Sequence, residues 1–358
     1  MLAAAALALL VLEAGLRGYD AAAVYLSRPE PGSPPPVPLH VVTNSPTLYE
    51  LNPEHPDISS QGFRDDEVSV PKPAGTFRVL VLGDSVAYGS AVPRGETFAN
   101  LLEAELRREL PGAEVVNAGV MGYTPYNELQ FYLTKGRLFE PDLVIVAFCM
   151  NDVANPRLHW GDAPGVRVPR EAIPNEAYDR EHILPVVRRL EEQKRTGAPE
   201  GPPVLRHSRL YRALAPALAR AFRRSPAVPT RVTGEDDLSI EVLLDRSSPE
   251  WRWLASTYDR LREAVRADGA EMTVVFFPLA YQMDESYPFL PQRRLAEYCR
   301  ERSLRCLDLL PPFRRHDEGE IFLLDKEGHD DIWHLTRFGH ELTARELLRF
   351  LREERLLP

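Results

Sequence analysis

Cysteine is scarce in this 358-residue chain, which contains only Cys149, Cys299 and Cys306. Because the number is odd and no CxxC spacing occurs, the sequence predicts no disulfide framework and leaves the redox compartment open. Cys149 directly follows an apolar run. We therefore interpret it as a strand-end residue rather than a thiol nucleophile.

The chain also lacks a block of basic residues and any internal repeat. Its formal net charge is −10, and a balance of that sign argues against nucleic acid as a partner. The hydrophobic fraction of 44% is enough for a full core. A chain of this length can hold one large domain or two small ones.

The longest apolar stretch lies at the amino end, where Leu2–Leu12 is unbroken and ends at Glu13. A spanning helix needs about 20 apolar residues and a signal peptide begins with a basic region, so neither pattern is complete. The alternative is an ordinary buried helix. Because a proline-rich stretch follows in Arg28–Pro38 and such stretches are semi-rigid spacers, we interpret residues 1–26 as an anchor or export segment and 27–39 as a linker.

A serine stands where a strongly apolar run ends. Val79–Leu82 predicts a short strand buried on both faces, and Gly83-Asp84-Ser85 then turns the chain toward a helical pattern from Thr97 to Leu110. Open α/β sheets build their sites at the carboxyl ends of strands. Ser85 is therefore a candidate nucleophile, and the alternative is a simple helix cap.

Near the carboxyl end, Asp331 and His334 precede a helical pattern that begins at Thr336. In a loop before a helix, the carboxylate can hold the imidazole by Nδ1–H and leave Nε2 free to take a hydroxyl proton. The alternatives are a surface pair that caps the helix and a metal site that also uses His329 and Asp330. We favour the catalytic interpretation because of the upstream serine turn, and we predict no metal.

Four separated blocks, taken in order, resemble the SGNH or GDSL hydrolases, a family of serine esterases and lipases that includes exported and membrane-anchored bacterial members. The blocks are Gly83-Asp84-Ser85, the glycine-containing stretch Asn117–Thr124, Asn151-Asp152 after the apolar run Leu143–Phe148, and Asp331 with His334. The sequence departs from the family where Cys149 replaces the usual glycine. The resemblance implies that Ser85 attacks an ester carbonyl, His334 is base and then acid, and Asp331 orients His334.

The resemblance also implies an oxyanion hole formed by the Ser85 N–H, a glycine N–H and the Asn151 amide. Gly119 and Gly122 compete for the glycine position, and we align Gly122 because a threonine follows it two positions on. Fixed donors aimed at the developing oxyanion are usually the largest catalytic contribution. A glycine also lets the substrate approach the backbone closely.

Strand and helix patterns alternate as in α/β proteins. Together with the resemblance, they predict a three-layer α/β/α sandwich around a five-stranded parallel sheet, the flavodoxin-like SGNH hydrolase fold. The further strands are expected at 114–117, 142–148, 271–277 and 305–309, and the further helices at 125–138, 249–267 and 292–302, with one more from Thr336.

Two stretches of the predicted hydrolase domain, residues 40–358, do not fit this alternation. Residues 155–248 form an insertion rich in proline, glycine and charge, which we interpret as either a lid or binding surface at the rim of the site or a solvated excursion. The stretch Ser60–Asp65 resembles a lead-in of exported bacterial family members. We expect it to pack in extended form on the sheet edge, with Phe63 buried and Arg64 paired to an acid.

These features predict a serine esterase that needs no cofactor and acts on an ester substrate outside the cytoplasm, either membrane-anchored or secreted. The acidic composition and the polar insertion favour small acyl groups on a cell-surface glycan. One alternative is an O-acyltransferase that uses the same serine and passes the acyl group to a sugar hydroxyl. The other is a catalytically idle glycan-binding module with the same fold.

Overall fold

A computed structural model describes residues 15, 37–43, 45–47, 49–90, 92–152, 246–247, 249–283, 290–324 and 330–358. The chain divides into two compact units. The first comprises Met1–Pro36, Arg188–Pro229 and Leu324–Asp330, nearly all of it outside the described residues. The second comprises Val37–Val187, Thr230–Leu323 and Asp331–Pro358. Nearly all of the predicted anchor, most of the predicted linker and nearly all of the 155–248 insertion also lie outside the described residues.

The described strands and helices follow one another along the chain. The strands are β1 (His40–Val42), β2 (Tyr49–Leu51), β3 (Phe77–Gly83), β4 (Ala113–Asn117), β5 (Leu143–Cys149), β6 (Glu271–Phe277), β7 (Arg305–Asp308), β8 (Phe322–Leu324) and β9 (Asp330–Leu335). The α-helices are α1 (Ser85–Tyr88), α2 (Phe98–Leu106), α3 (Pro125–Thr134), α4 (Pro249–Ala267), α5 (Leu290–Glu301), α6 (Leu310–Phe313), α7 (Glu318–Ile321) and α8 (Arg337–Glu353). Single 3₁₀ turns occur at Arg94–Glu96, Gly136–Phe139, Met150–Asp152 and Ala280–Met283.

Five parallel strands form the central sheet in the order β4-β3-β5-β6-β7. This confirms the predicted sheet. From β3 the chain runs outward to β4 and then returns to the other side of β3 with β5. The strand order therefore reverses at β3, and open α/β sheets place their ligand crevice at the carboxyl ends of the strands at such a reversal. Strands β3 and β5, which directly precede Ser85 and Asn151 in sequence, both end at this edge.

The sheet carries helices on both faces, as a three-layer sandwich requires. Helices α2 and α8 contact each other, and α3 contacts α4. The sequence expectation of two buried faces is confirmed for β3, since Val79, Leu80 and Val81 are each 0% exposed. The predicted helix starts are also confirmed, because the Thr97 and Thr336 hydroxyls accept N–H groups of the first turns of α2 and α8.

The cysteine prediction is wrong, because Cys299 and Cys306 form a disulfide bond. Cys299 lies near the end of α5 and Cys306 lies in β7, with seven residues of sequence separation. The tight helix-to-strand turn brings their Cα atoms to 6.4 Å, a separation that a disulfide can span. An odd count hid the pair because the third cysteine, Cys149, is buried at the end of β5, where the sequence predicts it, and takes no part in this disulfide.

The region of Asp331 and His334 also differs from the expected loop. It forms β9, which joins β8 in a two-stranded sheet, and α8 begins directly after it. The sequence there contains Ile332, Trp333 and Leu335, residue types that favour strands. The lead-in stretch agrees in one respect, since Phe63 is fully buried.

None of the helices in the described part of the chain is long and apolar enough to cross a membrane.

Candidate active site

The serine turn is a single helical turn that follows β3 without a loop. Asp84 caps it, because the Asp84 Oδ1 atom accepts the Val86 N–H at 2.8 Å. Gly83 is enclosed by α1 and β5, since a Cβ atom there would be 2.7 Å from the Ala87 Cβ and 3.0 Å from the Ala147 carbonyl oxygen. Only glycine permits so sharp a turn, which leaves Ser85 half-buried at the carboxyl edge of the sheet.

The structure brings Ser85 and His334 together across 249 residues of sequence, with His334 Nε2 2.9 Å from Ser85 Oγ. This distance is within hydrogen-bond reach for proton transfer from a hydroxyl to an imidazole. His334 lies on β9 and is half-buried. The side chain of Asp331, on the same strand, lies outside the described atoms, and its orienting role stays a prediction.

The loop after β4 holds its shape through Asn117, a residue that the sequence analysis did not single out. Its Oδ1 atom accepts the Gly119 N–H at 3.0 Å, and its Nδ2 atom donates to the carbonyl of Ala87 at 2.9 Å. A Cβ on Gly119 would lie 2.3 Å from the Tyr88 N atom. Gly119 is thus required for packing against the serine turn, and Asn117 already binds its N–H.

The second glycine of that loop has a different environment. Gly122 is half-exposed and has a φ of 78°, in the left-handed region that favours glycine. It lies just before α3, whereas Gly119 is fully enclosed by the serine turn. This difference favours Gly122 as the oxyanion donor, which stays a prediction.

The third block follows β5 as a 3₁₀ turn, Met150–Asp152. Asp152 is buried, and its Oδ2 atom accepts the Cys149 N–H at 2.9 Å. Asp84 and Asp152 therefore hold their loops through hydrogen bonds to the main chain. The side chain of Asn151 lies outside the described atoms, so its role as an oxyanion donor stays a prediction.

Beneath these loops lies a cluster of buried acids formed by Asp84, Glu128 and Asp152, each no more than 1% exposed. Burial raises the pKa of Glu128 and of Asp152 well above the ordinary range, and the nearby Asp84 raises both pKa values further. Both Glu128 carboxyl oxygens have no hydrogen-bond partner among the described residues. Burial therefore favours the protonated, neutral form of Glu128.

Sequence analysis missed Glu128, because an acidic residue in the first turn of a helix ordinarily has only a favourable interaction with the helix dipole. Among the described residues, no group of three or more His, Cys, Asp or Glu side chains could hold a metal ion. His329 and the side chains of Asp330 and Asp331 lie outside that description.

Comparison with known proteins agrees with the family resemblance. A family model described as the GDSL-like lipase/acylhydrolase family matches residues 81–342. No curated protein matches the chain.

Solved structures are similar only at low identity. The crystal structure of TesA is 14% identical with a TM-score of 0.41, covering 77% of this chain and 98% of that chain. A catalytic mutant of Axe2, an acetylxylan esterase from Geobacillus stearothermophilus, is 14% identical with a TM-score of 0.43, covering 78% and 96%. A member of the lipolytic G-D-S-L family from Veillonella parvula DSM 2008 is 11% identical with a TM-score of 0.40, covering 76% and 97%.

Ser85→Ala should abolish labelling by a fluorophosphonate probe, because the probe phosphonylates only an activated serine. Gel fluorescence of the purified proteins measures this. Ser90→Ala is the matched control, since Ser90 lies in the same loop and its N–H donates to the Ser85 carbonyl; that variant should label like the wild type. Labelling that survives in Ser85→Ala would place the nucleophile elsewhere.

Glu128→Gln should make thermal stability less dependent on pH. Above the ordinary pKa of 4.5 this carboxyl ionises in the unfolded chain, whereas its raised pKa in the fold favours the protonated form. The native state then binds more protons, so stability falls as pH rises. Melting temperatures from pH 5 to pH 8 should fall less in Glu128→Gln than in the wild type. Glu263→Gln, at an exposed position on α4, should keep the wild-type slope, and equal slopes in all three proteins would contradict a buried proton on Glu128.

Proposed function

This chain belongs to the GDSL-like lipase/acylhydrolase family and is an ester-bond hydrolase, and we propose that it acts through an acyl-enzyme formed on Ser85. The observation that carries this proposal is the 2.9 Å contact between Ser85 Oγ and His334 Nε2. A neutral serine is a weak nucleophile and requires a base within hydrogen-bond reach. In this proposal the Ser85 hydroxyl, at the edge of the sheet, is the nucleophile, and His334 on β9 is the base.

In the proposed reaction, Ser85 Oγ attacks the ester carbonyl carbon while His334 Nε2 takes the hydroxyl proton. The resulting oxyanion accepts hydrogen bonds from the main-chain N–H groups of Ser85 and Gly122 and from the Asn151 amide. Collapse of the tetrahedral intermediate breaks the bond to the alcohol oxygen, which receives the proton from His334. Water then attacks the acyl-enzyme by the same route, and Asp331 keeps the imidazole in the required tautomer.

We propose a small acyl group on a cell-surface glycan as the substrate. The acidic composition of the chain and the polar insertion after Asn151 support a polar substrate over a lipid. The same serine could instead pass its acyl group to a sugar hydroxyl, so the product mixture decides between hydrolase and acyltransferase. The contact between Ser85 and His334 argues against a catalytically idle binding module, which does not need it.

We also propose that the enzyme functions outside the cytoplasm. The Cys299–Cys306 disulfide supports this location, because disulfides persist in oxidising compartments and are rare in the cytosol. The apolar stretch Leu2–Leu12 and the prolines that follow it are consistent with an anchor and a stalk.

Substitutions at the proposed site should separate the base from the oxyanion donors. On an aryl acetate, Asn151→Ala should lower kcat by about 10²–10³, while His334→Ala should lower it further and Asp331→Asn should lower it less than His334→Ala. His316→Ala, a partly exposed histidine between α6 and α7, is the control and should keep full activity. Small, equal effects at all three proposed positions would contradict the site.

The acyl preference is tested by kcat/KM on a series of aryl esters that differ in acyl length. The acceptor is tested by repeating the assay with an acetylated or an unacetylated oligosaccharide added. The proposal predicts highest kcat/KM for acetyl esters and release of free acetate. Preference for long acyl chains would contradict the glycan proposal, and acetyl transfer to the sugar in place of acetate release would favour the acyltransferase.

Fractionation of a bacterium that expresses the full chain tests the location. The full chain should pellet with membranes, whereas a chain that begins at Val37 should stay in the supernatant and keep its esterase activity. Thiol titration of the unfolded, unreduced protein should find one free thiol, that of Cys149. A full chain in the cytosolic supernatant with three free thiols would contradict an exported enzyme.

A further inference from the structure

The residue pair Arg64-Asp65 lies before the central sheet in sequence, yet its side chains reach the loops of the site. Arg64 is 6% exposed and Asp65 is 5% exposed. Such burial is rare for charged side chains unless they are paired. From the sequence we expect Arg64 to pair with an acid, but in the fold its guanidinium donates hydrogen bonds to main-chain carbonyls, which the geometry of the serine turn explains.

Arg64 closes the carboxyl end of the serine turn. Its Nη1 atom donates to the carbonyls of Tyr88 and Gly89 at 2.7 and 2.6 Å, and its Nη2 atom donates to the carbonyl of Val92 at 2.7 Å. Helix α1 is only one turn long, so its last carbonyls lack the helical partners that a longer helix would supply. A cation at this end of a helix is also electrostatically favourable. The guanidinium further lies over the Tyr88 ring, 4.3 Å from its centroid.

Asp65 holds the neighbouring loop. Its Oδ2 atom accepts the main-chain N–H of Asn117 at 2.8 Å, and its Oδ1 atom accepts from the Asn100 side chain of α2 at 3.0 Å. Asn117 in turn donates its side-chain amide to the carbonyl of Ala87, inside the serine turn. Two successive residues therefore bind the serine turn and the start of the loop after β4.

We propose that Arg64 and Asp65 are positioning residues that fix the Ser85 turn relative to the loop that carries Gly122, an inference that rests on the proposed function. Neither residue touches the reacting atoms. They hold the carboxyl end of α1 and the start of the loop that carries Gly122 in fixed positions relative to each other. The Ser85 hydroxyl and the oxyanion donors then lie around the same substrate carbonyl. A displacement of about 1 Å in such a site can cost 10²-fold in rate.

The chain offers a matched control in Arg78. It is 0% exposed, and its guanidinium also donates to main-chain carbonyls, those of Phe139 and Ser69, as well as to Glu114. Arg78 lies at the start of β3, whereas Arg64 holds the turn after the end of that strand. Loss of the Arg64 guanidinium leaves three buried carbonyls without this donor, and loss of the Arg78 guanidinium removes the donor to the buried Phe139 carbonyl and the partner of Glu114, so both substitutions should lower stability. Only the loss of Arg64 should disturb the serine turn.

The test compares Arg64→Met, Arg64→Lys, Asp65→Asn and Arg78→Met in the full chain. The readouts are kcat and KM on an aryl acetate and the rate of fluorophosphonate labelling, both measured well below the melting transition, together with the melting temperature itself. Arg64→Met should lower kcat and the labelling rate by about 10²-fold with little change in KM, because the lost alignment matters in the transition state. Arg64→Lys should recover part of the rate, and Asp65→Asn should show a smaller loss of the same kind.

Arg78→Met should lower the melting temperature as Arg64→Met does but keep kcat and the labelling rate near wild type. The inference is overturned if Arg64→Met and Arg64→Lys keep wild-type kcat, or if Arg78→Met loses as much kcat as Arg64→Met at a similar loss of stability. If Arg64→Met does not fold, Arg64→Lys and Asp65→Asn decide by the same criterion. A wild-type chain that neither turns over esters nor labels would instead overturn the proposed function, and this inference with it.

Discussion

The hydrogen bond between Ser85 and His334 is the interaction on which the proposed chemistry depends, and it imposes a constraint on the whole fold. It joins residues 249 positions apart, so neither local propensity nor a single motif can form it. The strand order reverses at β3, and the carboxyl end of β3 lies at the edge of the sheet where the site forms. Strand β9, which precedes α8, returns the end of the chain to the same place. The sandwich therefore serves to bring two distant segments within proton-transfer distance.

The turn that presents Ser85 at that edge buries some of its own main-chain carbonyls, which water cannot reach. The serine turn has buried carbonyls at one end, and Arg64 and Asn117 donate to them. The acids near the turn differ, because burial raises the pKa of Glu128 and so favours its neutral form, and its carboxyl oxygens have no hydrogen-bond partner among the described residues. The site edge thus combines satisfied main-chain groups with neutralised side chains, and both arrangements remove charge or unpaired polarity from the interior.

The central sheet could be predicted because the residue patterns that indicate its strands and helices are local in sequence. The apolar runs around Val81 and Ile145 indicate buried strands, and Thr97 and Thr336 mark helix starts by their capping chemistry. The features that the sequence could not reveal depend on where other elements begin, end and pack. The carbonyl partners of Arg64 exist only once α1 ends as it does, and the Cys299–Cys306 pair requires the turn between α5 and β7. Likewise, β9 forms only because β8 lies beside it.

The central claim, that Ser85 becomes acylated with His334 as its base, is tested most directly by mapping a trapped intermediate. An aryl carbamate should inactivate the wild-type chain, because carbamoyl-enzymes hydrolyse slowly, and peptide mass spectrometry should find one carbamoyl group on Ser85. The His334→Ala chain should acquire it far more slowly. A carbamoyl group on another residue such as Cys149, or ester hydrolysis that persists with Ser85 unmodified, would contradict the account.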